Sequence, residues 1–244
     1  MFRSVVGLYL LAAVVWLPPT ARGAELISNG GFEAGLAGWT VTNLAGSDGT
    51  WFAMPVGRTP ISDYPTVGPA TGLLYALSDQ NSPGTHALTQ AFLVPFGSTS
   101  VILSYDMFVN DQSGLGPIVN PAGLDHTAGP NQHARVDLLT GLAAPFDTGA
   151  GVLANFYLGT YAGVFPHPYI GYLFDITALV VPGEVYQIRF AEVDNQFFFN
   201  QGVDNVSIAA TVVPEPSTVL SFTAGLAGLL GIARSWPARR RAGL

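Results

Sequence analysis

The chain has 244 residues, 49% of them apolar and only 10% charged, with 29 Gly, 18 Pro and no Cys. The missing cysteines exclude disulfides, thiol catalysis and thiolate metal sites. All nine basic residues are Arg, and only Arg58, Arg135 and Arg189 lie between residues 25 and 213, beside 15 acids; this middle stretch carries a net charge near −12, which repels phosphate backbones and excludes nucleic acid as a partner.

Residues 1–23 read as a secretory signal peptide. Arg3 gives a short positive start, residues 5–17 form an apolar run, Pro18 and Pro19 break it, and Ala21-Arg22-Gly23 puts small residues at the −3 and −1 positions for cleavage before Ala24. The run is too short to span a bilayer comfortably, which argues against an uncleaved anchor.

From 24 to 213 the chain reads as one β domain. Short β-rich runs broken by Gly, Pro, Asn and Asp predict strands at 25–32, 39–43, 50–55, 72–78, 86–94, 99–110, 134–139, 151–158, 169–174, 185–193 and 203–209. Alternation is clearest in STSVILSYDMFVND and GEVYQIRFAEVDNQ, where a period of two buries one face of each strand. Residues 176–180 suit a single helical turn. Regular strand spacing predicts a sandwich. The Gly- and Pro-rich stretch 111–132 is a long loop between two good strands.

Few residues in this domain suggest chemistry. His86, His126, His133 and His167 match no metal-binding spacing; His126 and His133 lie with Asp125 in or beside the long loop and read as exposed loop histidines. Asp106 with Asp111, and Glu192 with Asp194, are the carboxylate sets to weigh for glycoside hydrolysis, yet both sit at strand ends, where acids commonly serve turns. Trp39 belongs to a motif that packs inward. Trp51 and Tyr64 lie nearer to loops and are the candidate glycan-stacking rings, and residues 197–199 are three consecutive Phe, of which an extended chain sends at least one outward.

The two ends of the domain carry its most specific residues: Asn29-Gly30-Gly31-Phe32-Glu33 with Gly38-Trp39 at the start, and Gly202-Val203-Asp204-Asn205-Val206 at the end. This pairing resembles the galactose-binding-like jelly rolls, which include several carbohydrate-binding module families. The resemblance implies an all-β fold, a single jelly-roll β-sandwich whose first and last strands are neighbours. It also implies a structural Ca2+ held by the side chains of Glu33 and Asp204, with carbonyls near Ser28 or Gly31, a donor set that suits a hard cation.

Past the domain come Pro214, Glu215 and Pro216, then residues 217–233 without a charge, then Arg234, Arg239, Arg240 and Arg241. As a helix the apolar run reaches about 26 Å, a marginal span for a hydrocarbon layer of roughly 30 Å. Small residues recur every four positions (Ala224 with Gly228, Ala227 with Gly231), a face on which another membrane helix packs closely. The arginines place the chain end in the cytoplasm and the domain outside. Residues 214–241 thus resemble the PEP-CTERM sorting signal of Gram-negative bacteria. That resemblance implies a short C-terminal transmembrane helix at 217–233 to match the N-terminal signal helix, transient residence in the inner membrane, and recognition by an exosortase, a membrane protease or transpeptidase. The domain would be periplasmic first and finally at the cell surface or in the exopolysaccharide matrix. The expected function is non-enzymatic: structural, adhesive or glycan-binding, with polysaccharide as a partner. The alternatives are a secreted carbohydrate-active enzyme on the same sandwich and a permanently anchored binding protein.

Overall fold

The computed structural model describes residues 21–213, apart from 162 and 164. The signal peptide up to residue 20, the Pro-Glu-Pro motif and the apolar run after it lie outside the described residues. Among the described residues no helix is long and apolar enough to cross a membrane. The unit Arg22–Val212 is all-β.

Among the described residues eleven strands form two sheets: β1 (Arg22–Glu25), β2 (Thr40–Asn43), β3 (Thr50–Met54), β4 (Tyr75–Asp79), β5 (Gly84–Leu93), β6 (Ser98–Asp111), β7 (Gln132–Thr140), β8 (Val152–Gly159), β9 (Ile170–Asp175), β10 (Val185–Asp194) and β11 (Phe199–Val212). A single 3-10 turn, Thr177–Leu179, precedes β10. One sheet runs β3-β4-β11-β6-β9, with β1 also pairing β11; the other runs β2-β5-β10-β7-β8. The first and last strands are therefore neighbours, with Arg22 opposite Val212 and Glu25 opposite Ala209.

Strand alternation builds the core between the sheets. Val101, Leu103, Tyr105, Met107 and Val109 of β6 face Ile188 and Phe190 of β10 and Val136 and Leu138 of β7, all within one buried cluster. Each such side chain contributes about 1.5–3 kcal/mol by leaving water. In β11 the parity changes. Val203 points inward, and so do Val206 and Ile208, because a bulge between Asp204 and Ser207 with Asn205 at φ 51° inserts a residue.

The run expected as a strand over 25–32 ends at Glu25. Asn29 and Phe32 adopt positive φ of 51° and 58°, and Asn29 fastens the turn that follows, its Nδ2 donating to the Gly35 and Ala37 carbonyls and its Oδ1 accepting from Ala34 N–H. Gly30 has no room for a side chain, since a Cβ there would lie 1.8 Å from the Val206 carbonyl oxygen. Trp39 packs inward, its ring 5.3 Å from Phe32 and 6.1 Å from Phe190.

The long loop is a strap across the outer face of the second sheet. Leu124 joins Ala87, Ala191 and Val193 in a small buried cluster there, and His126 sits over Thr85. The same face buries Arg189 completely, paired with Asp137 at 2.6 Å, while its other nitrogen donates to the Pro145 and Asp147 carbonyls.

Candidate functional site

At one end of the sandwich the inward positions change from apolar to polar. Ser78 and Gln80 follow Ala76, Asp111 follows Val109, Gln132 precedes Ala134, and Glu192 and Asp194 follow Phe190. These side chains stand below a pocket of about 260 Å³, walled by residues 80–83 on one side and 194–198 on the other.

The floor is a carboxyl pair bridged by one amide. Gln80 Nε2 donates to Glu192 Oε2 at 3.2 Å and to Asp194 Oδ2 at 2.8 Å. Burial pushes the Glu192 carboxyl well above its usual range, and the neighbouring Asp194 pushes it further. Burial likewise raises Asp194 to about 7; hydrogen bonds from Gln80 and the Gln196 backbone oppose this, while Asp111 adds to it. Gln132 supports the rim. Its Nε2 donates to Asp111 at 2.6 Å, and its Oε1 receives the backbone N–H of Gln196 and Phe197 at 3.1 and 3.0 Å. One side chain thus fixes both an acid of the floor and the turn that bears the aromatic wall. In that wall Phe197 is half exposed, and Phe198 packs against Tyr64 with ring centroids 4.6 Å apart. Apolar ring faces beside amides and a carboxyl suit a ligand with one apolar face and several hydroxyls.

Tyr64 stands behind the pocket wall, packed on Phe198, and does not itself line the pocket. Nor does Trp51; its ring is buried in the main core. Glu33 and Asp204 meet at a single loop: Glu33 Oε1 accepts from Leu73 and Leu74 N–H at 2.8 and 3.1 Å, while Asp204 Oδ2 accepts from Ala70 and Thr71 N–H at 2.9 and 3.1 Å. Gly72 lets Glu33 reach in, since a Cβ there would fall 2.1 Å from Oε1. Burial raises the Asp204 carboxyl, and Asp106, opposite it on β6, adds to the effect.

Asp106 and Asp111 cannot act as a pair. On β6 the inward residues are odd-numbered, so Asp106 faces out, bonded by Asn205 Nδ2 at 2.8 Å, while Asp111 faces in. The expectation of exposed loop histidines is overturned as well. His126 and His133 are buried because the strap closes over the second sheet; His86 is buried opposite Glu192, and His167 is buried beside Asn110 and Tyr161. Among the described residues no group of three or more His, Asp or Glu is placed to hold a metal ion. Reading Glu192 and Asp194 as turn acids missed the site. The signal was present: GEVYQIRFAEVD keeps one parity from Ile188 through Asp194, which carries both acids inward.

The fold and site define a two-sheet β-sandwich with a polar pocket at one end and the last strand ending at Val212 at the other. Residues 212–240 match the model of the PEP-CTERM protein-sorting motif. No curated protein matches the chain. Among solved structures, the chain resembles TmCBM61, solved with β-1,4-galactotriose, at 10% identity and TM-score 0.46, covering 76% of this chain and 97% of that one. A K3 cleaved adhesin domain of Lys-gingipain from Porphyromonas gingivalis resembles it at 13% identity and TM-score 0.44, over 76% and 98% of the two chains. The CBM22-1 xylan-binding domain from Paenibacillus barcinonensis does so at 10% identity and TM-score 0.40, over 79% and 97%.

Proposed function

We propose that this is an exported glycan-binding protein of the surface or matrix, a jelly-roll sandwich delivered by its C-terminal sorting motif and handled by an exosortase. The observation that carries the binding reading is the pocket, where Phe197 and Phe198 stand beside Asp194 and Gln80. Ring faces bury the apolar face of a sugar, and the amide and carboxyl accept its hydroxyls. The hydrolase alternative is weaker on the same geometry. Glu192, the carboxyl best suited to hold a proton, is fully buried beneath Gln80 and Asp194 and offers no face to a glycosidic oxygen. Loss of polysaccharide turnover in Glu192→Ala would restore that alternative.

The calcium reading belongs to the same proposal. Glu33 and Asp204 hold the two ends of loop 70–74, and Ca2+ bound between them would lock the loop to the last strand.

A glycan array probed with the chain tests the binding function. Binding to one polysaccharide class is expected, weakened about tenfold in Phe198→Ala, in line with a stacking contact of roughly 1.4 kcal/mol. Binding that is indifferent to both Phe198→Ala and Asp194→Asn would place the glycan elsewhere or nowhere.

A further inference from the structure

Glu192 and Asp194 are neighbouring buried carboxyls, 0% and 5% exposed, with no arginine facing them; His86, opposite Glu192 on β5, is kept neutral by burial, which lowers it to about 4. Arg58 is held by Asp63, and Arg135 and Arg189 both by Asp137. Arg22 lies at the other end of the sandwich, opposite Val212. The side chains that do reach the pair are Gln80 and Ser78, with the acids Asp111 and Asp79 close enough to raise it further.

A second observation points to what this arrangement lacks. Glu192 Oε1, Gln80 Oε1 and Gln201 Oε1 are all buried without a hydrogen-bond partner. Such orphans are rare in native interiors. These three oxygens are the ligand type a hard cation selects, while His86 Nε2, on β5 opposite Glu192, is also buried without a partner. Gln80 is 2% exposed, and its amide already touches both carboxyls through Nε2. Half a turn of that amide, which changes no volume, presents Oε1 where Nε2 now sits. Two carboxylates and an amide oxygen then converge, and the pocket opening at Gln80 and Asp194 admits both ion and water.

We propose that Glu192, Asp194 and the Gln80 amide oxygen form a site for one hard divalent cation, Ca2+ by ligand type, with pocket waters completing the shell. Two carboxylates balance its charge, and the ion removes the cost of burying them unpaired. This site is separate from loop 70–74 and does not depend on which glycan the pocket takes.

The test is calorimetric titration of the chelator-treated full chain, in detergent, with CaCl2 at pH 6 and pH 8, in two buffers of different ionisation enthalpy. Because the empty pair holds protons, uptake releases them, so binding is at least about tenfold tighter at pH 8 and its heat depends on the buffer. A hundred-fold excess of Ca2+ over Kd raises Tm by roughly 5–10 °C. Asp204→Asn keeps this proton-linked binding; the double variant Glu192→Gln, Asp194→Asn loses it. Gln80→Glu supplies a third carboxylate and tightens binding about tenfold, which keeps the proposal testable even where the double variant fails to fold. Proton-linked Ca2+ uptake that survives the double variant, vanishes in Asp204→Asn, or weakens in Gln80→Glu overturns the site, as does the absence of any uptake; the pair then holds protons alone.

Discussion

Asp194 and Glu192 make stability depend on pH in the sense opposite to most carboxylates. A carboxyl whose pKa is raised on folding favours the fold while protonated; for Asp194 that contribution is full below the unfolded value of 3.8 and is lost as pH rises through about 7, and Glu192, raised by burial and by Asp194, acts in the same direction. His86 and His133 act the other way. Burial lowers both to about 4, so they favour the fold above 6.5 and weaken it as pH falls towards 4. The two effects oppose each other between about 4 and 6.5. Above that window only the carboxyls still titrate, so stability should fall from pH 6.5 to 8 in chelator. Asp194→Asn removes much of that fall and leaves the protein about 1–3 kcal/mol more stable than the wild type at pH 8. Urea unfolding at both pH values reads the difference, and a wild-type midpoint that stays level from 6.5 to 8 would contradict the buried pair. Both acids stand in the sequence at alternate positions on one strand. What the sequence left hidden was their depth, because burial comes from Gln80, Ser78 and Gln132 on other strands. No local pattern announces that two other strands, β4 and β7, will bring polar side chains to the same inward corner.

At the scale of elements, strand pattern was the legible part. β-Rich runs bounded by Gly, Pro, Asn and Asp located ten strands to within a few residues, with period-two alternation clearest in β6 and β10. The first run misled because Glu25 and Leu26 look like the start of a strand that the Asn29 hydrogen bonds then fold into a turn. The parity change in β11 was equally invisible, as it depends on Asn205 reaching across to Asp106. The strap and the 141–151 turn were readable as loops, but not as covers. The turn's attachment rests on Arg189, whose guanidinium joins Asp137 to the Pro145 and Asp147 carbonyls while fully buried. Arg189→Met should cost about 3–5 kcal/mol, because it leaves Asp137 with Arg135 as its remaining cation and frees two buried carbonyls. Limited proteolysis should then cut within 141–151, a site protected in the wild type. Restoring part of the stability with Asp137→Asn in the same chain separates lost charge balance from lost packing.

At the scale of the whole molecule, sorting and binding are separated along β11. The strand starts at Phe199 beside the pocket and ends at Val212, where the match to the sorting motif begins. Fourteen residues of strand place these two ends roughly 45 Å apart. Val212 is the last residue paired in the sheet, opposite Arg22 of β1 and Ser98 of β6. Cleavage at or after Pro216 therefore removes no pairing among the described strands, whereas a cut before Ala209 would strip away every residue of β11 paired with β1. A processed protein should melt within about 2 °C of the unprocessed one, since no described strand loses a partner. Mass spectrometry of the mature protein from cells with and without exosortase tests the processing itself. The expected outcome is a C-terminus near residue 216 in the first case and retention of residues 217–233 in the second. Identical retention of the peptide beyond Pro216 in both would sink the sorting reading. Loss of the tail together with a fall in Tm of more than about 5 °C would show instead that the segment after Val212 holds the sandwich together, which the sheet pairing gives no reason to expect.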